Sequence, residues 1–454
     1  MTVRGRRRLL AAAAAIGFVA WARAGDRGYA VVVSAATLGD EGWKRVAEAL
    51  RAKHGAALIA HGGRVEDALP ELRALFPRYA CFVARPEEAT REFVGRVHRL
   101  ARDLDDDPYA DVLWGILTGY DAANALRIAR CREPLVVRRA AAGTEIALAL
   151  CEEGLWYSEL TRGRMVKKEK GGAPRELRGP DDTTEALVQA LTEYRADLFV
   201  TSGHATERDW AIGYAYPNGS FRCERGGLYG LDTRGRRHPI DSPNPKVYLP
   251  VGNCLMGHID GREAMALAFM NSCGVNQMLG YTVPTWYGYA GWGCLDYFVE
   301  QPGRFTFAEA FFANHAALIH RLTAAEKLDA GDRRGLLHDR DAVAFYGDPA
   351  WEARMAPGPS GWDQTLAERD GVFTFEIVPR SGAASFDPVS RNGSQRGGRP
   401  FLEFLPRRIK DAAILEGADL RPVVADDFIL VPRPRVCDPG RRYRVAFRAA
   451  VFEN

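Results

Sequence analysis

Two side chains in this sequence have types and settings suited to covalent chemistry. His204 follows the apolar run 196–201 within Ser202-Gly203-His204-Ala205, and Cys254 follows a second apolar run, 247–251, within Gly252-Asn253-Cys254. An imidazole titrating at about 6.5 takes a proton from a thiol and returns one to a leaving amine, and a thiolate is a strong nucleophile near neutral pH. Short apolar runs between polar stretches read as buried strands, and side chains just past the carboxyl ends of parallel strands meet in one crevice. The placement predicts a Cys254–His204 dyad acting on a carbonyl. Gly203, Ala205 and Gly252 are small, so main-chain amides can approach a substrate, and the N–H groups of Ala205 and Cys254 are the expected oxyanion hole.

Other groups compete for attention. His258 and Asp260 follow Cys254 at four and six residues, and His204, Cys254 and His258 offer a zinc ion nitrogen and sulfur ligands. Asp260-x-x-Glu263 also reads as the capping box of a following helix, which explains Asp260 without a metal. A zinc-dependent hydrolase is therefore one alternative to the dyad, and a catalytically silent cell-envelope binding module is another. His315 and His320 are five apart on one helix, so they do not share a face. Asp105-Asp106-Asp107-Pro108 reads as a solvated turn rather than a metal site, and no catalytic metal or cofactor is expected.

The elements that must position these residues alternate. Apolar runs at 29–34, 56–60, 79–84 and 110–117 are interleaved with helical stretches, the arrangement of an α/β unit with a parallel sheet. A second α/β region carries the helix opened by Asp182-x-x-Glu185, the two strands before His204 and Cys254, a third strand at 274–281 and an amphipathic helix at 307–322. Residues 206–246 form a polar, Gly-rich insertion with a hairpin turn at Pro217-Asn218-Gly219-Ser220, expected to overhang the strand ends. After the Pro/Gly-rich stretch 356–361, strand-like segments predict a β-sandwich. The expected organisation is a signal peptide at 1–24, an N-terminal α/β half-domain at 25–140, a catalytic α/β domain at 141–355, a linker at 356–361 and a β-sandwich at 362–454.

Phe199-Val200-Thr201-Ser202-Gly203-His204-Ala205 and Tyr248-Leu249-Pro250-Val251-Gly252-Asn253-Cys254, taken in that order, resemble the gingipain-like cysteine peptidases, which share a caspase-like α/β fold. Asp107-Pro108-Tyr109-Ala110-Asp111 and Phe345-Tyr346-Gly347-Asp348-Pro349 are similar to tracts closing that family's first half and its catalytic domain. The resemblance covers roughly residues 29–355. It implies an endopeptidase that forms a thioester on Cys254, an assisting acid at Glu153, an S1 wall from Trp286, Tyr287 and Trp292, cleavage after basic residues, a structural calcium ion and an Ig-like C-terminal domain. Two departures stand out: Ala205 replaces the family's usual Gly, and the insertion lengthens the His–Cys separation.

Composition bounds the rest. At 454 residues, 47% hydrophobic and 26% charged, the chain belongs with folded globular proteins of more than one domain. Its first 24 residues hold five arginines and no acid, leaving 56 basic against 58 acidic residues, so no nucleic-acid footprint is present. Arg4 to Arg8, an apolar run too short to span a bilayer, and Ala22-Arg23-Ala24 predict a secretory signal, with Arg6-Arg7-Arg8 also suiting twin-arginine export. The expected location is periplasmic, cell-surface or secreted, with protein or peptide substrates as partners and no later membrane segment. Eight dispersed cysteines without a C-x-x-C pair predict mostly buried small hydrophobes rather than a disulfide scaffold.

Overall fold

The computed structural model describes residues 28–324 and 328–452, so the expected signal peptide lies outside the described residues. Most unbroken apolar runs become strands buried on both faces, as parallel strands covered by helices require, while the run at 56–60 gives a partly exposed edge strand. In chain order the first part supplies β1 (Tyr29–Ser34), α1 (Ala35–Leu38), α2 (Glu41–His54), β2 (Ala57–His61), α3 (Leu69–Leu75), β3 (Tyr79–Val83), α4 (Arg91–Arg102), β4 (Leu113–Leu117) and α5 (Ala122–Arg130). Next come β5 (Leu135–Val137), β6 (Arg139–Ala142), β7 (Glu153–Tyr157), β8 (Arg164–Lys168), β9 (Arg175–Arg178), α6 (Thr184–Thr192) and β10 (Leu198–Thr201). The insertion holds β11 (Asp209–Ala211), β12 (Ser220–Glu224), β13 (Gly227–Leu231) and β14 (Arg237–Ile240). Then follow β15 (Lys246–Pro250), α7 (Met265–Ser272), β16 (Val275–Tyr281), α8 (Tyr289–Phe298), α9 (Phe307–Ala324), α10 (Ala330–Arg340), β17 (Val343–Tyr346) and β18 (Ala353–Met355).

Twelve of these strands make one sheet, in the order β2-β1-β3-β4-β17-β16-β15-β10-β6-β7-β8-β9. Pairing is parallel except at β16–β17, β7–β8 and β8–β9, so the sheet is mostly parallel and helix-flanked, as the alternation predicts. Two parallel blocks meet at the antiparallel β16–β17 junction, and β17 closes on β4 of the first block. The sheet is continuous across the expected 140/141 division, which falls within β6.

Two local expectations change. α7 does not start at Asp260: its N-cap is Ala264 with no side-chain cap, because Asp260 takes a hydrogen bond from Arg208 at 2.8 Å and Glu263 accepts the Arg225 amide at 2.7 Å. The insertion is a four-stranded antiparallel sheet, β11-β12-β13-β14. It buries Phe221, Leu228 and Ile240 and packs on α6 and α7, while the connection carrying Tyr214 reaches the strand ends.

The C-terminal part contains β19 (Trp362–Arg369), β20 (Val372–Pro379), β21 (Phe401–Phe404), β22 (Ile409–Glu416), β23 (Val423–Val424), β24 (Phe428–Val431) and β25 (Tyr443–Val451). They form two antiparallel sheets, β19-β20-β25-β22 and β21-β24-β23. Side chains alternate across a strand, and here the alternation decides the layering. Phe401, Ile429 and Val431 join Phe373, Phe375 and Val445 in a β-only core, while Leu402, Phe404, Phe428 and Leu430 belong to the core of the α/β part. The three-stranded sheet is a layer shared by both. No helix among the described residues is long and apolar enough to cross a membrane.

Candidate active site

β7, β6, β10, β15 and β16 run parallel, so their carboxyl ends open on one edge. Thr201 of β10 lies opposite Pro250 of β15, which brings Ser202–His204 and Val251–Cys254 into neighbouring loops. Gly203 adopts φ 97°, a left-handed conformation that glycine takes without strain, and the turn leaves His204 exposed. Gly252 lies so near Trp292 that a Cβ would sit 2.8 Å from the indole Nε1. Any larger residue there would push the Cys254 loop away.

Asn253 fastens the two loops together. Its buried side chain accepts the Thr201 hydroxyl at 2.6 Å and donates Nδ2 to the Gly203 carbonyl at 3.0 Å. Cys254 is half-buried, and its Sγ receives the Thr285 N–H at 3.2 Å. The His204 imidazole stacks on exposed Tyr214, with centroids 4.8 Å apart and planes 27° apart. Ala205 bridges Trp210 through the flanking amides, Thr206 to Asp209 and Ala211 to His204, which leaves the Ala205 N–H outside the ladder.

One acid at this edge is Glu159, just past the end of β7. Its buried Oε1 accepts the hydroxyls of Thr144 at 2.5 Å and Ser202 at 3.0 Å, and the Asn392 amide at 3.0 Å. Its main-chain carbonyl accepts the Tyr214 and Ala215 amides. Glu159 thus grips the His204 segment twice, through Ser202 and through the residue stacked on the imidazole. Glu153, expected in the assisting role, opens β7 opposite Arg139 and lies at the other edge of the sheet. The sequence carries the placement of both: Glu153 precedes the apolar run of β7 and Glu159 is the first acid after it.

The aromatic segment divides. Trp286 is 51% exposed, next to Thr285, with Arg334 5.7 Å from its ring centroid. Tyr287 and Trp292, expected beside it in a substrate wall, are buried. Tyr287 donates its hydroxyl to Asp332 at 2.7 Å, and Trp292 supports Gly252 from beneath.

Among the described residues, the groups that bring three metal-capable ligand atoms within 4.8 Å of one another are His98/His315/Asp341 and Asp105/Asp111/Asp426. Neither includes His204, Cys254 or His258, so the zinc arrangement is not assembled. The turn at 105–108 keeps Asp106 and Pro108 exposed, as expected, while Asp105 and Asp107 are half-buried on the side of Asp426 in the C-terminal part. Burial, aided by the neighbouring carboxylates, pushes Asp111 up to about 9 and Asp107 up to about 6. Oxygen ligands of this kind suit calcium, but Arg408 bonds Asp426, and main-chain amides bond Asp105, Asp107 and Asp111. The protein's own donors already serve these carboxylates, and no step is derived through a calcium ion. None of the eight cysteines is paired. Burial pushes Cys151 up to about 12 and Cys223 up to about 11, and raises Cys81, Cys273 and Cys294, so these thiols stay protonated near neutral pH.

No family model matches the chain, and no curated protein matches it. Two solved structures are similar to it. The Arg specific cysteine proteinase gingipain R matches at TM-score 0.46 and 10% identity, over 94% of this chain and 98% of its own. A structure described as a protease matches at TM-score 0.42 and 9% identity, over 94% and 95%.

Proposed function

We propose that this protein is an exported cysteine-type peptidase using Cys254 as nucleophile and His204 as base. The observation that carries the reading is the Asn253 clamp, which fixes the His204 and Cys254 loops to each other at the carboxyl ends of adjacent parallel strands. In this mechanism His204 takes the Cys254 proton and the thiolate adds to the scissile carbonyl. The N–H groups of Ala205 and Cys254 receive the oxyanion, and His204 protonates the departing amine to leave a thioester. Water, deprotonated by His204, then attacks the thioester and releases the acid and the free thiol. Glu159 holds the His204 loop, and Trp286 is the side chain placed to touch substrate.

The test is kcat/KM for four variants on one fluorogenic peptide. Cys254→Ala and His204→Ala are each expected to lose about 10³-fold or more, and their combination to be hardly worse, because the two act as one unit. His258→Ala should retain most activity. A folded Cys254→Ala protein with full activity would end this reading, and a wild type that cleaves nothing in a diverse reduced peptide library would transfer the site to the binding-module reading.

A further inference from the structure

We propose that Asn392, on the segment joining β20 to β21, is a positioning residue for the dyad: it sets Glu159, and through Glu159 the His204 loop, in the place the reaction needs. This rests on the peptidase reading above. The Asn392 Nδ2 donates to the Glu159 Oε1 at 3.0 Å and to the Thr144 hydroxyl at 2.8 Å, and that hydroxyl itself donates to Oε1. With the Ser202 hydroxyl, this one carboxylate oxygen takes three donors, all of them neutral. A buried carboxylate served by neutral donors depends on each of them, so it settles where the three converge. Two come from the catalytic part, and one of those, Ser202, lies two residues before His204. The third comes from the C-terminal part.

Asn392 is itself held. The Val389 and Ser390 amides bond the Glu300 carboxylate at 2.9 and 3.1 Å, and the Gly397 amide bonds Asp296 at 2.9 Å. Arg396, paired with both acids, also donates to the Asn392 carbonyl at 3.0 Å. Both ends of the segment 389–397 are therefore fixed to the C-terminal end of α8. The segment meets the Cys254 loop as well: Gly393, at φ 97°, lies so near Trp292 that a Cβ would overlap the indole, and the same indole supports Gly252. A segment pinned at both ends thus reaches the His204 side through Asn392 and the Cys254 side through Trp292. Misplacing reacting groups by about 1 Å costs on the order of 10²-fold in rate. A donor that fixes one of the two loops should therefore act on turnover rather than on substrate affinity.

The full chain is assayed on one fluorogenic peptide, with the melting temperature as the check on folding. Asn392→Ala and Asn392→Asp are each expected to lower kcat about tenfold or more, with KM within about twofold of wild type. In Asn392→Asp a second carboxylate faces Glu159, so adding Glu159→Gln should recover kcat at least threefold over Asn392→Asp alone. A purely structural role for Asn392 gives no such recovery. Arg391→Ala, exposed on the same segment, should keep the wild-type kcat. A kcat within twofold of wild type in both single variants, an equal loss in Arg391→Ala, or no recovery in the double variant would each overturn the proposal. A wild type that cleaves nothing would end the peptidase reading instead, and alkylation then decides the placement. Iodoacetamide labelling of Cys254 at pH 7, followed by mass spectrometry on the peptide that carries it, should be at least threefold slower in Asn392→Ala, because an imidazole held beside a thiol promotes its thiolate. Equal labelling rates would overturn the placement.

Discussion

Asn253 shows how one buried amide can fasten two neighbouring loops, those that carry His204 and Cys254. Its two bonds run to Thr201 and to the carbonyl just before His204; its loss leaves Thr201 with the Tyr248 hydroxyl and takes the amide donor from the Gly203 carbonyl, at about 1–3 kcal/mol. Asn253→Asp keeps the acceptor for Thr201 and loses the donor to Gly203. It should lower kcat by about 10²-fold, the scale of a small displacement of reacting groups, with KM nearly unchanged and Cys254 still present to alkylators. A kcat equal to wild type would remove the clamp from the mechanism. The sequence exposes Cys254 and His204 because each follows an apolar run, which is a local pattern. It conceals Asn253, Thr285 and Tyr214, whose roles depend on which strands become neighbours. The apolar segment around Trp286, Tyr287 and Trp292 reads as one unit, yet exposure separates it into one accessible indole and two packed rings, a distinction that composition does not carry.

At the scale of elements, α4, α9 and the end of α10 meet around two buried imidazoles. His98 bonds the Val343 carbonyl through Nε2 at 2.8 Å, His315 bonds the Arg340 carbonyl at 3.1 Å, and their rings are 5.2 Å apart. Asp341, the nearby carboxylate, is paired with Arg102 at 2.8 Å and Arg340 at 3.0 Å. Burial pushes His98 down to about 4 and His315 well below its usual value. The folded state therefore holds both rings neutral, whereas the unfolded chain takes up protons at about 6.5. Stability from this contact is complete above that pH and falls as the pH drops toward 4, by about 3 kcal/mol from His98 alone. Urea unfolding between pH 7.5 and 4 should show the decline, and His98→Gln, which keeps a donor for Val343, should flatten it. A variant as acid-sensitive as wild type would place the sensitivity elsewhere. The helices themselves are legible from their apolar periodicity, but their starts are not: Asp260 and Glu263 form a capping-box pattern, and Arg208 and the Arg225 amide take them instead.

For the whole molecule, the Pro/Gly-rich stretch 356–361 suggests two bodies on a tether, and the packing joins them. Leu402, Phe404, Phe428 and Leu430 are in the α/β core. The Ala356 amide bonds Val137 at 2.9 Å, and Asn392 reaches Glu159 and Thr144 at the edge that carries His204. Arg396 is one buried tie, at 2.7 Å from Asp296 and 2.6 Å from Glu300, all three side chains being nearly fully buried. Removing one partner of such a pair leaves charge in a medium that cannot solvate it, at about 3–5 kcal/mol. Arg396→Ala should lower the free energy of unfolding by that amount, whereas Arg391→Ala, exposed on the same segment, should leave it within about 0.5 kcal/mol. Cutting the chain at 356–361 would expose the same two carboxylates together with the apolar face of the shared sheet. The α/β part alone should then be recovered as aggregate rather than as a monodisperse protein in size-exclusion chromatography. A soluble, cooperatively melting fragment ending at residue 355 would show that the shared layer is an attachment rather than part of the core.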